Sequence, residues 1–198
     1  SGDEIARGLK EALIIGATES AVKASKEGGF NNNSLIRIPF PNDAESMKKT
    51  LLKVGMRSQV DEFEYALNVA AEEASKFSKE IFVNAIKGMK IKDAISILKG
   101  DDNAATSYLK VQTSKKLYKT FRPVVEGSIR KVKLTKYWHN LAERYNSIPL
   151  TKDINSDLED YVTNQVIGGL FILIAQEEKN IRNNPKARVS EILQRVFK

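Results

Sequence analysis

One segment decides the fold of this 198-residue chain: residues 156–183, which read SDLEDYVTNQVIGGLFILIAQEEKNIRN. Apolar residues recur in it at three- and four-residue spacing, which predicts a long helix with a buried face. Its longest apolar run, Val166 to Ala175, has ten residues, whereas a helix that spans a bilayer needs about 20. We therefore expect a helix buried in the protein core and no transmembrane segment.

Gly168 and Gly169 lie in the middle of this segment. Each glycine costs a helix about 1 kcal/mol relative to alanine, so helix propensity does not explain the pair. A neighbouring helix that packs unusually close would explain it, because a residue without a Cβ lets two backbones approach. We expect such a helix to pack against this pair.

The rest of the chain also favours helices. Hydrophobic residues make up 41% and charged residues 29% of the sequence, which is ordinary for a globular protein, and there are only five prolines. The stretches between the prolines lack the alternation that is typical of strands. We predict one all-α domain over residues 1–198, a bundle of roughly seven to nine helices with one extended, proline-containing connector.

Apolar spacing and capping residues place the other helices. They are predicted from Asp3 to Lys26, from Asn42 or Asp43 to Val54, from Ser58 to Ser75, from Ser78 to Met89, from Ile91 to Leu98 and from Ala187 to Phe197. Asp101 and Asp102 begin a further long helix, where carboxylates accept unpaired backbone N–H groups. Pro123 should kink or interrupt this helix, and a separate stretch should follow from Val124 to about Tyr145.

The connector is the segment from Leu35 to Pro41, LIRIPFP, which alternates in the manner of a strand. Its two prolines bar it from a helix. We expect it to lie across the helix of residues 156–183, with its apolar side chains filling the core between helices.

Positive charge is concentrated between Lys110 and Lys136. This stretch has nine basic residues and one acidic residue, Glu126, hence a net charge of +8, whereas the whole chain carries +7. The basic residues are Lys110, Lys115, Lys116, Lys119, Arg122, Arg130, Lys131, Lys133 and Lys136. The remaining residues sum to −1, so the basicity of the protein is local.

Two interpretations of this basic stretch stay open. Lysine-rich helix faces often serve only solubility. Alternatively, the stretch forms a surface for an anionic or amphipathic partner, with Tyr118, Tyr137 and Trp138 as interfacial or stacking groups. That surface is predicted to contain Lys115, Lys116, Lys119, Arg122, Arg130, Lys131, Lys133, Tyr118 and Trp138.

A second group of charges lies near the end of the long helix. Glu178 precedes Arg182 by four residues, a spacing that puts opposite charges side by side. If Arg37 of the connector also reached Glu177 and Glu178, an ionic cluster of all four residues would lock the connector to this helix. A glutamate pair can instead serve a hydrolase, although adjacent helical residues point about 100° apart.

Other chemistry finds little support in the sequence. The absence of cysteine excludes disulfides, thiolate metal sites and cysteine nucleophiles. His139 is the only histidine, and its neighbours Tyr137, Trp138 and Asn140 suggest an ordinary helix position. Asp101 and Asp102 have no further ligand nearby in the sequence for a metal ion. We therefore predict no catalytic residue, no metal site and no cofactor.

Several separated strings resemble one bacterial family, the domain of unknown function 4197. They are Gly8 to Leu13, the Gly28-Gly29-Phe30 turn, Ile36 to Pro39, Gly100 to Tyr108, Asp160 to Thr163, Gly169 to Phe171, Glu177 to Arg182, and Pro185. The resemblance covers the whole chain in order. It implies a bacterial protein, but no activity that could be assigned to these residues.

The resemblance also implies a location and a set of partners. Members of the family often begin with a secretory signal, which here would lie upstream of Ser1, so the periplasm or cell envelope is expected; the composition also fits the cytoplasm. We predict a non-enzymatic binding or interaction module whose partner is an anionic lipid, lipopolysaccharide or an acidic protein. The alternatives are a hydrolase that uses Glu177 and Glu178, and a nucleic-acid-binding protein, the latter suggested by a pI near 9.4.

Overall fold

The computed structural model describes residues 1–184 and 191–196. Within these residues the chain forms nine α-helices and no strand, which confirms the all-α prediction. The helices are α1 (Gly2–Ser25), α2 (Glu45–Lys53), α3 (Arg57–Ser75), α4 (Ser78–Lys87), α5 (Ile91–Leu98), α6 (Ala104–Ile129), α7 (Lys133–Asn146), α8 (Leu158–Asn183) and α9 (Glu191–Val196). The predicted ends of the last helix, near Ala187 and Phe197, lie outside the described residues.

Helix α8, the segment predicted to form the core, lies at the centre of the bundle. It packs against α1, α3 and α6, and more lightly against α7. Its buried face is continuous with the small-residue face of α3, where Ala70, Ala71 and Ala74 are fully buried. Small residues let these helices approach closely, and most of the buried apolar residues form one connected core, with a small separate cluster at Ala12 and Ile181.

The two glycines of α8 have different surroundings. A Cβ at Gly169 would stand 2.8 Å from the ring of Phe30 and 3.3 Å from Cβ of Ile36, whereas a Cβ at Gly168 would meet nothing within 4 Å. The close neighbours are thus Phe30, in the turn before the connector, and Ile36 of the connector itself, and the expectation of a neighbouring helix at this pair was wrong. Close helix packing occurs instead at Gly16 of α1, where a Cβ would stand 3.3 Å from Cβ of Glu177.

The connector lies between α3 and α8. Its residues Ile36, Ile38 and Phe40 are buried, as expected for side chains that fill the core, and so is Phe30 in the turn before it. The hydroxyl of Tyr161 on α8 donates a hydrogen bond to the carbonyl of Pro39 at 3.1 Å. The connector is therefore held by both helices.

Helix α6 continues through Pro123, so of the two predicted effects, a kink or an interruption, the interruption was wrong and the kink stays a prediction. The helix ends at Ile129, and α7 begins at Lys133. Proline removes one N–H donor, but Pro123 is on the exposed side of α6, where water can solvate the carbonyl left without a partner. Buried residues continue at four-residue spacing on both sides of it, at Leu117, Phe121 and Val125, and this packing keeps the helix intact.

Candidate functional site

All seven lysines of the basic stretch are exposed; Lys110 lies over the ring of Phe171 of α8, and the other six follow it along α6 and the start of α7. These six are Lys115, Lys116, Lys119, Lys131, Lys133 and Lys136, named here the α6–α7 lysines. Among the residues that the structure describes, none of the six has a carboxylate within ion-pair distance. Their positive charges are therefore not neutralised locally.

The unbroken course of α6 decides how these lysines are arranged. Lys115 and Lys119 are four residues apart and so share one face of the helix, and Lys116 lies next to that face. With a rise of about 1.5 Å per residue, Lys119 and the end of α6 at Ile129 are about 15 Å apart along the axis. Lys131 lies in the turn after α6, and Lys133 and Lys136 lie in the first turn of α7, so three of the charges are on α6 and three are near its C-terminal end.

Two arginines of the predicted surface are bound within the protein. Arg122 donates two hydrogen bonds, of 2.7 and 2.9 Å, to the carboxylate of Asp157 at the start of α8. Burial alone would raise the pKa of Asp157, but the hydrogen bonds from Arg122 and from the Asp160 amide outweigh it and lower the pKa. Arg130 pairs with Glu126 on its own helix. Arg122 therefore serves the fold, whereas Arg130 forms an exposed surface pair that contributes little to stability.

The aromatic residues of the predicted surface are also bound within the protein. Tyr118 is half-buried; its hydroxyl donates to Asp160 at 2.6 Å and accepts a hydrogen bond from Arg122 at 2.8 Å. Trp138 is 1% exposed and stacks on Phe63, and its indole N–H donates to the carbonyl of Asn155. The placement of Trp138 on the surface was wrong, because its spacing on α7 points it into the core. Only Tyr137 remains 59% exposed.

Glu178 and Arg182 form a buried ion pair that links two helix ends. Glu178 accepts hydrogen bonds of 2.8 Å from the backbone N–H groups of Ala105 and Thr106, and one of 2.7 Å from the Thr106 hydroxyl. Arg182 donates to Glu178 and to the carbonyls of Ile97 and Leu98 at the end of α5. One pair thus caps the C-terminus of α5 and the N-terminus of α6, where the helix dipoles favour a cation and an anion respectively.

This arrangement replaces the predicted capping by Asp101 and Asp102. The Asp101 carboxylate accepts a hydrogen bond from the N–H of Asn103, one residue before α6, and both aspartates are exposed. The backbone N–H groups of Ala105 and Thr106, in the first turn of α6, donate to the Glu178 carboxylate instead. Glu178 lies more than 70 residues away in the sequence. Local spacing therefore identified a charged helix start but not the group that caps it.

Arg37 does not join Glu177 and Glu178, so the predicted four-residue cluster was wrong. Arg37 pairs with Glu64 of α3 at 3.3 Å, and Glu177 pairs with Lys23 of α1 at 2.7 Å. The adjacent glutamates point to different helices, Glu177 to α1 and Glu178 to α6, because successive helical residues diverge by about 100°. They do not face one bond of a substrate.

Three polar residues of α3 hold the connector, and they were missed from the sequence. Glu64 accepts a hydrogen bond from the N–H of Phe40, Asn68 binds both the N–H and the carbonyl of Ile38, and Glu72 accepts from the N–H of Phe30. All three side chains are buried. Their four-residue spacing beside the apolar face of α3 was the available signal, and we name them the α3 polar ladder.

Burial alone would raise the pKa of Glu64, whereas hydrogen bonds from Lys48, from the N–H of Phe40 and from Arg37 outweigh this effect and lower the pKa. The Nζ of Lys48 lies 2.7 Å from the Glu64 carboxylate. The Glu64 carboxylate is therefore ionised, and its negative charge contributes to the stability of the fold.

Groups that could perform chemistry are dispersed. In the described part of the chain no three histidine or acidic side chains lie together in a way that could hold a metal ion. His139 is exposed on α7. Neither oxygen of Glu178 is available to a substrate, since both bind the start of α6.

The geometry thus defines a helical bundle with structural ion pairs inside it and unneutralised lysines along α6 and α7. The whole chain, residues 1–198, matches the family described as Protein of unknown function (DUF4197), and it belongs to that family. The comparisons with curated proteins and with solved structures found no match. None of the described helices has the length and apolar character that crossing a membrane requires.

Proposed function

We propose that this protein is a non-enzymatic binding module of the bacterial cell envelope, and that the α6–α7 lysines bind an anionic partner. The observation that carries the proposal is the contrast between these lysines and the buried or half-buried cations. Lys48, Arg122 and Arg182 each pair with a carboxylate, whereas the six lysines have none within reach in the described residues. A lysine without a carboxylate partner in the protein is available to bind an anion from outside it.

The chemistry of the partner follows from the side chains. Lysine is a strongly hydrated point charge on a flexible stem, so a row of lysines suits a diffuse negative surface better than one precise pocket. Lipid headgroups, lipopolysaccharide and an acidic protein surface all present such charge. A protein in the periplasm, the location that the family resemblance supports, can contact lipid headgroups and lipopolysaccharide.

The other two classes receive less support from the geometry. A hydrolase would need Glu177 and Glu178 to line one pocket, and their side chains bind different helices. A single-stranded nucleic-acid site would need aromatic platforms, and Trp138 and Tyr118 are bound within the fold.

The proposal can be tested with two polyanions of different kinds. Binding of the purified protein is measured to vesicles of equal parts phosphatidylglycerol and phosphatidylcholine, to vesicles of phosphatidylcholine alone, and to heparin. We expect binding to the anionic vesicles or to heparin that weakens as salt rises, because exposed charges are screened. No binding of the wild type to either polyanion at low salt would refute the proposal.

Matched charge-reversal variants locate the surface. The triple variant Lys115→Glu, Lys116→Glu, Lys119→Glu should lose at least tenfold in affinity, since each lysine near an anionic surface contributes about 1 kcal/mol. The control reverses three exposed lysines near α5, Lys90→Glu, Lys92→Glu and Lys99→Glu, which lie toward the opposite end of α6. Equal losses in both variants would mean that only net charge matters and would contradict a site on α6 and α7.

The location is tested separately. The full-length gene product is expressed in its bacterial host, and osmotic-shock and membrane fractions are probed for the protein. We expect the protein in the periplasmic or membrane fraction. Recovery in the cytosol alone would contradict the envelope part of the proposal.

A further inference from the structure

The turn after α7 exposes two apolar side chains on either side of a proline. In Ile148-Pro149-Leu150, Ile148 is 51% exposed and Leu150 is completely exposed. We name these three residues the apolar tip. Leu150 makes no packing contribution to the fold, because its side chain is surrounded by solvent.

Leu150 also has an unusual backbone conformation. Its φ angle is +68°, the only positive φ of a non-glycine residue in the described chain. Residues with a Cβ disfavour this left-handed region, and glycine or asparagine would suit the turn better. Folding does not require an exposed leucine at a strained position. A contact between this side chain and a molecule outside the protein would explain it.

The side of α7 that leads to the apolar tip carries exposed cations and an exposed aromatic residue. Lys133, Tyr137 and Arg144 are spaced by four and by seven residues, which places them on one side of the helix. The basic residues nearest the tip are Arg144 and Lys152; Lys152 pairs with Asp43 at 3.0 Å, and the acidic residues Glu143 and Asp153 adjoin the two in sequence. Cations, an exposed tyrosine and apolar side chains together are typical of segments that lie in the headgroup region of an anionic bilayer.

Helix α7 lies at the periphery of the bundle. Its buried residues Leu134, Trp138 and Ala142 face α3, α8 and Phe40 of the connector, while the residues on its outer side are exposed. Lys131 precedes α7 and Lys133 and Lys136 lie in its first turn, whereas the tip follows its last turn, about 20 Å away along the axis. A flat surface along the outer side of α7 would therefore meet these lysines at one end of the helix and the tip at the other.

We propose that the protein binds an anionic lipid bilayer, and that Ile148 and Leu150 insert between the headgroups while the α6–α7 lysines contact the lipid phosphates. The proposal rests on the proposed function and specifies its partner. A second copy of the chain is a poorer occupant, because a stable dimer buries about 800 Å² on each partner and a three-residue tip presents far less.

The sequence has no cysteine, so a single introduced thiol reports on one position. Leu150→Cys is labelled with the environment-sensitive fluorophore NBD and mixed with vesicles of equal parts phosphatidylglycerol and phosphatidylcholine. We expect a blue shift and a severalfold rise in emission at position 150. The control is Val22→Cys, labelled in the same way; Val22 is an exposed apolar residue of α1, a helix with no described packing against α7. Its emission should stay unchanged.

A second variant separates insertion from charge. The double variant Ile148→Ser, Leu150→Ser should bind the anionic vesicles about tenfold more weakly, because two inserted apolar side chains are lost, and should bind heparin as the wild type does. The lysine triple variant should lose both activities. Both positions are exposed, and circular dichroism checks that the variants fold.

The outcomes distinguish this inference from the proposed function. If the wild type binds vesicles but NBD at position 150 is silent and the serine variant binds normally, insertion is wrong and the lysine site stands. Binding to heparin alone excludes the bilayer as the partner. If the wild-type protein binds neither the anionic vesicles nor heparin, both proposals are wrong. If the NBD emission at position 150 shifts with protein concentration in the absence of vesicles, the tip contacts a second copy of the chain.

Discussion

The Glu178 carboxylate and the Arg182 guanidinium lie 2.8 Å apart on successive turns of α8, and each binds the end of a different helix. Glu178 holds the first amides of α6, and Arg182 holds the last carbonyls of α5. The side chains are 3% and 10% exposed, so the pair is almost fully withdrawn from water. It fixes the turn between α5 and α6 to the central helix.

Removing one partner of this pair should be costly. Arg182→Ala leaves a buried carboxylate without its counter-ion, and we expect the free energy of unfolding in urea to fall by about 3–5 kcal/mol. The control is Arg130→Ala, which removes an exposed pair with Glu126 and should cost less than about 1 kcal/mol. Similar costs for both variants would show that the buried pair does not hold the helix ends.

The adjacent glycines of α8 give a matched pair of variants. Gly169→Ala places a Cβ 2.8 Å from the buried ring of Phe30, and we expect a loss of about 1–2 kcal/mol despite the better helix propensity of alanine. Gly168→Ala meets nothing within 4 Å and should gain about 0.5–1 kcal/mol. Thermal unfolding measures both. If both substitutions raised the stability of the protein, or both lowered it, close packing of the connector on α8 would be contradicted.

Asn68 of the α3 polar ladder satisfies two backbone groups at once. Asn68→Ala leaves the N–H and the carbonyl of Ile38 buried and unpaired, and we expect a loss of about 2–4 kcal/mol in chemical unfolding. Asn84→Ala, at an exposed position of α4, is the control and should change stability by less than about 0.5 kcal/mol. A small effect at Asn68 would mean that water replaces the amide.

The apolar pattern of the sequence was sufficient to predict the helices and the core position of α8. Val60, Phe63 and Leu67 recur at spacings that depend only on helix geometry, and the structure buries all three. The pairing of the polar groups could not be predicted in the same way. Glu178 and the amide of Ala105 are 73 residues apart, so their meeting depends on how α6 packs on α8 and on no local spacing.

The errors at Trp138 and Pro123 have a similar cause. Trp138 was interpreted from the basic stretch around it, and the interruption of α6 was inferred from Pro123 alone. The structure shows that Trp138 stacks on Phe63 and that buried residues carry α6 past Pro123. In both cases tertiary packing outweighed the local signal.

Acid should destabilise the protein partly through Glu64. The pKa of this carboxyl is lowered below its ordinary value of 4.5, so its ionised form stabilises the folded state above about pH 4.5, and this contribution is lost as pH falls through the lower folded-state pKa. We expect the difference in unfolding free energy between the wild type and Glu64→Gln to shrink between pH 5 and pH 3. Glu62→Gln, at an exposed position of the same helix, is the control for removing a charge. A difference that is constant across this range would exclude a role for the Glu64 charge.

The α3 polar ladder has a consequence for the kinetics of amide exchange with solvent. The N–H groups of Phe30, Ile38 and Phe40 are not part of a helix, yet each donates to a buried side chain of α3. They can exchange with deuterated water only when the connector, together with the turn at Phe30 before it, lifts off α3 or when α3 itself opens. The connector should therefore exchange as slowly as the helices that enclose it, and its protection would report how tightly the centre of the bundle is closed.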